Sequence, residues 1–561
     1  MKKHNYPYYS SFTDCSTMEE LVSDMAVRLG DKPALSYRRH PKDPAPVTVS
    51  SRTFSEDVRA LAREFVRNGI TGVHCAIIGK LSYEWLCAYL ALQIAGAVAV
   101  PLDREWTVED LVSTLSTADC TYALLDDDIA EKAGDALRGA LPACTVLSLE
   151  QPDAGIRAMT EDGKKHPDVV YPPHDPREMS VLVFTSGTTG KGKGVMLSER
   201  GILSNIYNTF RILKPTKRSI ATLPPHHTYG SNIAVLALLY GGMHIYISSG
   251  IKYILQEMKE FQPDCMMLVP LYVETFHRRV LMSIKESGKD AVFSKTVKIS
   301  NRLRRVGIDL RRVLFGQILR AFGGKLKFMV CGGAPLRPDL IELFDAIGIT
   351  VINGYGITEC SPLVAANRNK FCRAGSVGIP LPNMEVRLEG KNEAGEGEIC
   401  VRGDNVMLGY YKQPEATAEA IDPDGFFHTG DIGRLDEEGV LYITGRCKNL
   451  IILSNGKNIY PEEIETALAA IPGALEVVVY EGQSKRGVEH NRVVAEIYPD
   501  RDYLKKSGID DPDTYFHREV DAYNRGAVPY KKVGIVKVRT EEFPKNTLRK
   551  ILRFRLDRAI D

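Results

Sequence analysis

The sequence predicts an α/β fold, with a large N-terminal region of stacked sheets and a smaller α+β unit behind it. Three observations carry that expectation. Short apolar runs alternate with amphipathic stretches of helical period over the first two thirds of the chain. Near Gly375 the texture changes to brief β segments broken by Gly, Pro and Asn, and beyond Arg446 a helix is followed by two strands. A chain of 561 residues is also too long for one core, so two to four domains are expected.

Taken in order, residues 18–29 and 55–68 have the spacing of amphipathic helices, and Val73 to Ile78, Ala97 to Pro101 and Tyr122 to Leu125 read as buried strands. The stretch Trp85 to Leu102 is the most apolar. It carries Gln93 and two glycines and is short for a membrane span, so it reads as a buried helix running into a buried strand. Strands are expected again at Ser219 to Leu223, Met243 to Ile247, Cys265 to Val269, Leu326 to Cys331 and Thr350 to Asn353, giving two packed α/β layers. From Gly375 a small antiparallel unit is expected. Pro461 opens a helix, strands follow near Val477 and Val493, and the chain closes on a basic helix, "NTLRKILRFRLDRAI".

Composition narrows the function. Hydrophobic content of 44% and charged content of 25% are ordinary for a globular protein, and a net charge of +1 gives no argument for a nucleic-acid partner. Eleven cysteines, an odd number with no CxxC pair, argue against a disulfide framework or a zinc site. They fit a reducing cytoplasm, and the N-terminus lacks the apolar core of a signal peptide. Residues 283–327 are the local exception, with twelve Lys and Arg against Glu286, Asp290 and Asp309. Leu303, Val306, Leu310, Val313, Leu314 and Ile318 recur there at helical spacing. One reading is a core-packed helix with a solvated basic face. The other is a docking surface for anionic lipid at the inner face of the membrane, for an acidic carrier protein or for coenzyme A phosphates.

The chemistry starts at "VFTSGTTGKGKGVMLS", Val183 to Ser198. Glycines let the backbone approach a ligand, hydroxyls donate hydrogen bonds and lysines add charge, so a strand entering this loop is suited to a polyphosphate. Gly187, Gly192 and Lys193 satisfy GxxxxGK, yet Gly194 stands where a Walker site needs a hydroxyl on magnesium. Phosphate binding is favoured and a P-loop kinase is not. A metal carboxylate must then come from elsewhere. "NGYGITEC", Asn353 to Cys360, follows a buried strand and sets Tyr355, Thr358 and Glu359 at its carboxyl end. Tyr355 suits a base, Thr358 a phosphate and Glu359 a Mg²⁺ ion.

With these residues in view, the chain resembles the AMP-forming adenylating superfamily, most closely its long- and medium-chain fatty acyl-CoA ligases. The matching segments run in family order over nearly the full length: "FTSGTTGKGKGV", "LPPHHTYG", "CGGAPL", "GYGITE", "GFFHTGDIG", "GRCKNLIILSNGKNIYPEEIE" and "FPKNTLRKILR". The resemblance implies a stacked-sheet domain over 1–445 with a small β-barrel subdomain at about 375–445. A mobile C-terminal domain over 446–561 is implied with it, hinged near Lys448. It implies ATP, Mg²⁺ and coenzyme A as reactants or cofactor, and a fatty acid as substrate. A carboxylate attacks the α-phosphate, pyrophosphate leaves, and a thiol then takes the acyl group from the adenylate. An acyl carrier protein is the alternative acceptor, and a non-catalytic nucleotide- or lipid-binding regulator the alternative class.

The resemblance also implies roles. Thr185, Ser186, Gly187, Thr188, Thr189, Gly190 and Lys193 would cradle phosphates, with Thr185 also near the metal. Gly333, Ala334, Pro335, Asn353, Gly354, Tyr355, Gly356 and Thr358 would line the nucleotide, and Glu359 would hold Mg²⁺. Asp431 would take the ribose diol with Arg446, flanked by Ile443, Gly456 and Lys457. His227 would act near the acyl carboxylate, with His226 as a competitor. Lys550 would bridge carboxylate and α-phosphate, with Lys545 the alternative. Two departures stand out: Gly192 replaces the family's usual proline, which predicts a more flexible loop, and Arg549 occupies a usual glycine slot. The apolar stretches "SNIAVLALLYGG" and "CMMLVPLYVETF" fit either an acyl tunnel or plain core.

Overall fold

The structure, a computed structural model, describes residues 8–9, 12–185, 192–334, 336–369, 371–452, 458–483, 492–545 and 551–560. Its first helix, Met18–Leu29, begins where the Thr17 hydroxyl accepts the Glu20 N–H, and it turns Met18, Leu21, Val22 and Met25 inward. The second helix spans Ser51–Arg67, four residues earlier than the apolar spacing suggests, because the Ser50 hydroxyl accepts the Thr53 N–H and caps it there. Tyr83–Ile94 is a helix buried on all sides that leads into the buried strand Val98–Leu102. Gln93 is satisfied inside: its amide donates to Tyr89 O at 3.0 Å and its carbonyl accepts from Ser180 Oγ at 2.9 Å. No described helix is long and apolar enough to cross a membrane.

Two large mixed sheets organise the first 410 residues. The seven-stranded sheet runs 409–410, 193–198, 179–185, 98–102, 74–78, 120–125, 145–148. The nine-stranded sheet runs 379–380, 363–366, 350–356, 328–331, 265–268, 218–221, 244–247, 33–37, 47–50. The nine-stranded sheet has a parallel centre and antiparallel edges, whereas the seven-stranded one is antiparallel only at the edge that holds 409–410 and 193–198 and parallel out to 145–148. One apolar cluster holds Ala99, Val183 and Val195 from the first sheet and Leu35, Met267 and Val330 from the second, so the sheets share a core. Alternation decides which residues face it: Cys265 and Met267 join the shared cluster, while Met266 and Leu268 pack in a second cluster under the helices. The expected α/β layering is the observed one.

Past Gly375 the chain forms a four-stranded antiparallel sheet, in the order 385–389, 397–402, 427–435, 441–446. Beyond it, helix Pro461–Leu468 and strands Ala474–Gly482, Arg492–Pro499 and Ile535–Val538 gather their own cluster around Ile464, Val479, Ala495 and Phe516.

Two expectations are corrected. The closing basic helix is absent from the described residues 551–560, which form two isolated bridges at Ile551 and Ala559, a short 3₁₀ turn at Arg553–Arg555 and irregular chain. Tertiary contacts outweigh the helical spacing: Ile551, Leu556 and Ile560 pack on Tyr480, Val494 and Phe543, and Arg553 binds Glu465 at 2.6 and 2.7 Å. The helical repeat at 303–318 is also broken. Gly307 at φ +83° ends helix Asp290–Arg305, and two short helices, Arg311–Leu314 and Gly316–Ala321, follow. Phe315, Leu319 and Phe322 fill the core there, while Val306 and Val313 are 72% and 78% exposed.

Candidate active site

Two neighbouring parallel strands deliver the first half of the site. Phe328–Cys331 and Thr350–Gly356 pair in register, with Cys331 opposite Asn353. Their continuations, Gly332 to Ala334 and Gly354 to Glu359, therefore open side by side at the sheet's carboxyl edge, where open α/β sheets bind ligands. Gly333 stands at φ +86°, a conformation that favours glycine. Asn353 donates its side-chain amide to Ser376 O at 3.2 Å, and its carbonyl accepts from Asn367 N at 2.9 Å. A Cβ on Gly356 would meet Pro362 O at 2.5 Å, so this turn admits no larger residue unchanged.

Tyr355 is buried, and its hydroxyl donates to Asp431 Oδ2 at 2.6 Å. Arg446 Nε donates to the other oxygen, Oδ1, at 2.8 Å. The carboxylate arrives there through a bulge. Glu398 faces Ile432 and Cys400 faces His428, so the second strand carries two extra residues around Gly430, which sits at φ +69°. Asp431 is 3% exposed, and among the described residues each oxygen takes one side-chain donor, which leaves lone pairs of the kind a vicinal diol would use. Burial, reinforced by Asp431, pushes the Tyr355 phenol well up. The Asp431 charge holds Arg446 above its ordinary value. Ile443 lies on the same strand as Arg446, opposite Gly433.

Glu359 occupies the 3₁₀ turn Thr358–Cys360, with Thr358 half-buried beside it. Its backbone carbonyl accepts from Met407 N at 2.7 Å, and its Oε1 accepts from the Tyr410 hydroxyl at 3.1 Å. Burial raises the Glu359 carboxyl above the usual range. Tyr410 also carries Lys193 over its ring, Nζ 4.3 Å from the centroid. Lys193 and the Glu359 carboxylate thus share one aromatic side chain. No sequence motif singles out Tyr410. The only trace is "GYY" after a β run, and its position follows from Gly409–Tyr410 pairing with Lys193–Ser198.

The loop between the two strands of the hairpin, including Ser186, Gly187, Thr188, Thr189 and Gly190, lies outside the described residues, as do Pro335, Gly456, Lys457 and Lys550. At its neck Thr185 faces Lys193 across the hairpin, donating its hydroxyl to Lys193 O at 3.4 Å. A Cβ on Gly192 would stand 2.7 Å from Thr185 O, so glycine here permits a close backbone approach.

The two histidines part company. His226 is buried, its Nε2 is 3.6 Å from Asp103 Oδ2, and burial lowers its imidazole to about 4, so it is neutral at pH 7. His227 is half-buried, its ring 4.2 Å from that of His226, and its carbonyl accepts from Ser231 N at 3.0 Å. It precedes the π-helix Tyr229–Ala237, a rare element often found at functional sites. A wide cleft of about 1740 Å³ passes Asp103, Phe184, Thr185, Gly192, His226 and Lys545. Lys545 is committed there to Glu476 at 2.6 Å and Glu542 at 3.1 Å. The two apolar stretches are core on one side and crevice on the other: Ile233, Ala237, Cys265 and Met267 line a small apolar crevice together with Val330.

The chain is similar to several known proteins in sequence and in fold. Long-chain-fatty-acid–CoA ligase 5 of Mus musculus is 28% identical over 537 residues, covering 89% of this chain and 77% of the relative. Long-chain-fatty-acid–CoA ligase FadD15 of Mycobacterium bovis is 29% identical over 462 residues, 77% of this chain and 75% of its own. The ATP-bound structure of MatB from Rhodopseudomonas palustris aligns with a TM-score of 0.74 at 24% identity, over 95% of this chain and 97% of that one. The Bacillus subtilis o-succinylbenzoate coenzyme A synthetase with ATP and magnesium aligns at 0.71 and 21%, over 96% and 98%. At such identities the structures speak for the fold. The sequence pattern of the AMP-binding enzyme family matches residues 23–411, more than two thirds of the length, and the chain belongs to that family of enzymes.

Proposed function

We propose that the protein activates a fatty acid with ATP, releasing pyrophosphate, and passes the acyl group from acyl-AMP to coenzyme A. The observation that carries this reading is the convergence of Tyr355, Asp431 and Arg446 with Glu359, Tyr410 and Lys193 around one sheet edge. The names of the curated relatives support the acid and the thiol.

Attack of a carboxylate on a triphosphate brings two anions together, so fixed cations and donors must offset the repulsion. Lys193 and the donors of 185–190 would take phosphate charge. Glu359 and the Thr185 hydroxyl are oxygen ligands of the kind Mg²⁺ prefers, and the ion would supply charge neutralisation on the phosphates. Asp431 would accept both ribose hydroxyl hydrogens while Arg446 and Tyr355 keep its carboxylate in place. The crevice beside Ile233 and Met267 encloses only about 20 Å³, too little for an alkyl chain, so the alkyl tail of the acid rests on the names of the relatives. The division at 445/446, with the 3₁₀ turn Cys447–Asn449 as hinge, is part of the proposal.

The test is a panel of acids with ATP, Mg²⁺ and either coenzyme A or acyl carrier protein, following AMP and thioester. AMP and acyl-CoA with long-chain acids are expected. ADP as product, or no acid-dependent AMP, would overturn the reading, and thioester formed only on carrier protein would move it to that acceptor. Asp431→Asn keeps a hydrogen-bonding group but loses the ion pair and one diol acceptor. Its KM for ATP should rise about 10- to 100-fold, the worth of one charge-assisted hydrogen bond, with kcat less affected. An unchanged KM would remove Asp431 from the ribose.

We further propose that residues 281–314 dock on anionic lipid. Leu281, Val292, Ile299, Val306, Ile308 and Val313 are exposed among the exposed Lys285, Lys289, Lys295, Lys298, Arg302 and Arg305. Each basic residue near an anionic surface contributes about 1 kcal/mol. The protein should co-sediment with phosphatidylglycerol vesicles, not with phosphatidylcholine ones, and release in high salt. Equal binding to both, or to neither, would refute it.

A further inference from the structure

A second chemical cluster lies on the four-stranded sheet. Cys400 sits directly opposite His428 on one side and Arg387 on the other, and Glu389 follows two residues along on the same face. Cys400 Sγ is 3.5 Å from Glu389 Oε2 and 3.5 Å from His428 Nδ1, and His428 Nε2 is 3.7 Å from Glu389 Oε2. One ligand atom from each of the three falls within 4.8 Å of the others. Zinc bonds of about 2.0–2.3 Å in a tetrahedron put neighbouring ligand atoms roughly 3.3–3.8 Å apart; the Sγ–Oε2 and Nε2–Oε2 separations already match, and a turn of the His428 ring is needed to bring Nε2 to the sulfur.

The geometry points to a binding site for a borderline-soft divalent cation, Zn²⁺ by chemistry, held by Cys400 Sγ, His428 Nε2 and Glu389 Oε2. The surroundings are those of an imidazole ligand. His428 Nδ1 is 3.1 Å from Glu398 Oε2, a bond that orients the ring and leaves the Nε2 lone pair toward Glu389. Asp422 Oδ2, 3.9 Å from Nε2, can serve as fourth ligand, or water can. On binding, the Cys400 thiol gives its proton to solvent and sulfur donates to the metal, while the imidazole and carboxylate bind without proton loss. Arg387 is the opposing charge: it pairs with Asp422 and lies 3.5 Å from Glu389. No sequence spacing announces the site, because its ligands come from three strands.

The seat is joined to the nucleotide side. The Glu398 carboxylate that holds His428 also accepts the Gly430 N–H at 3.0 Å, and Gly430 forms the bulge that presents Asp431. A metal that reorients His428 would pull on that bulge, so Zn²⁺ is expected to weaken nucleotide binding. This coupling rests on the proposed nucleotide role of Asp431, whereas the metal site does not.

The experiment titrates chelator-treated full-length protein with Co²⁺ alone, in the absence of nucleotide or acid. One equivalent should give a thiolate-to-cobalt band in the near ultraviolet and strong visible bands of a tetrahedral ion, displaced by Zn²⁺. Cys400→Ser should lose the near-ultraviolet band. The exposed Glu389→Gln, which leaves the buried thiol in place, should bind Co²⁺ at least 10-fold more weakly. Arg387→Gln should bind it more tightly. Weak octahedral spectra in the wild type, or a band that survives Cys400→Ser and an affinity untouched by Glu389→Gln, would overturn the site. Co²⁺ binding without any effect on nucleotide affinity would remove the coupling and leave the site standing.

Discussion

Replacing Glu359 with glutamine is expected to lower acid-dependent AMP formation by about 10²–10³ while leaving the fold at least as stable. The two effects have one cause. Burial raises the Glu359 carboxyl, so the folded chain favours its protonated form more than the unfolded chain does. A carboxyl raised in this way favours folding at low pH, and its ionisation opposes folding as pH rises through the folded-state value. Glutamine is a neutral isostere and escapes that cost. Below the ordinary glutamate range the two proteins should melt alike, and near pH 8 without metal Glu359→Gln should melt at the same temperature or higher. Mg²⁺ should raise the melting temperature of nucleotide-loaded wild type and not that of the variant. The same raised carboxyl should shift the acid limb of the activity profile upward, since a Mg²⁺ held by Glu359 as proposed would need the ionised form. A variant with wild-type AMP formation, or one that melts well below wild type at pH 8, would show that Glu359 is a structural group. Tyr410→Phe gives a graded companion, because it removes one neutral-to-charged hydrogen bond and keeps the ring over which Lys193 lies.

The sequence makes the inner strands of the sheets readable because they are buried on both faces, while partly exposed edge strands such as Val47–Ser50 and Thr145–Ser148 escape it. Leu326 to Cys331 and Thr350 to Asn353 read as interior strands, and the segments that leave them hold the candidate site residues. Asp431 and Arg446 are legible as residue types in order, yet their contact depends on a bulge that no spacing reveals. Tyr410 is illegible for a different reason. A two-residue strand has no periodicity, and its partner lies more than 200 positions earlier. At 303–318 and 551–560 the helical period is present and misleads. Gly307 breaks the first repeat, and the second segment gains more from Tyr480, Phe543 and Glu465 than a surface helix would gain from its own hydrogen bonds. At Gly192 a Cβ would stand 2.7 Å from Thr185 O, a close approach that the sequence does not announce, while the loop before it lies outside the described residues.

Lys550→Ala and Lys545→Ala should separate cleanly, and the first should abolish adenylation nearly completely. A lysine that touches both the acid and the α-phosphate neutralises charge and aligns the reacting atoms, and losing such a contact costs on the order of 10²–10³ in rate or more. Lys545 is the only other lysine of the C-terminal motif, and its ammonium is already held by Glu476 and Glu542. Those two bonds raise it above its ordinary value even though burial pulls the other way. Lys545→Ala should therefore act on stability, leaving Glu476 with less compensation, and change AMP formation by less than about tenfold. Supplying preformed acyl-adenylate sharpens the comparison. Lys550→Ala should then make thioester at close to the wild-type rate, because the lysine's work belongs to the first half-reaction. Arg549→Gly tests whether the departure beside Lys550 matters: a rise in adenylation would mean that the arginine backbone holds the lysine short of its best position. If Lys545→Ala silences adenylation while Lys550→Ala does not, the register that places Lys550 in the site is wrong, and the ion pairs of Lys545 must open during the reaction.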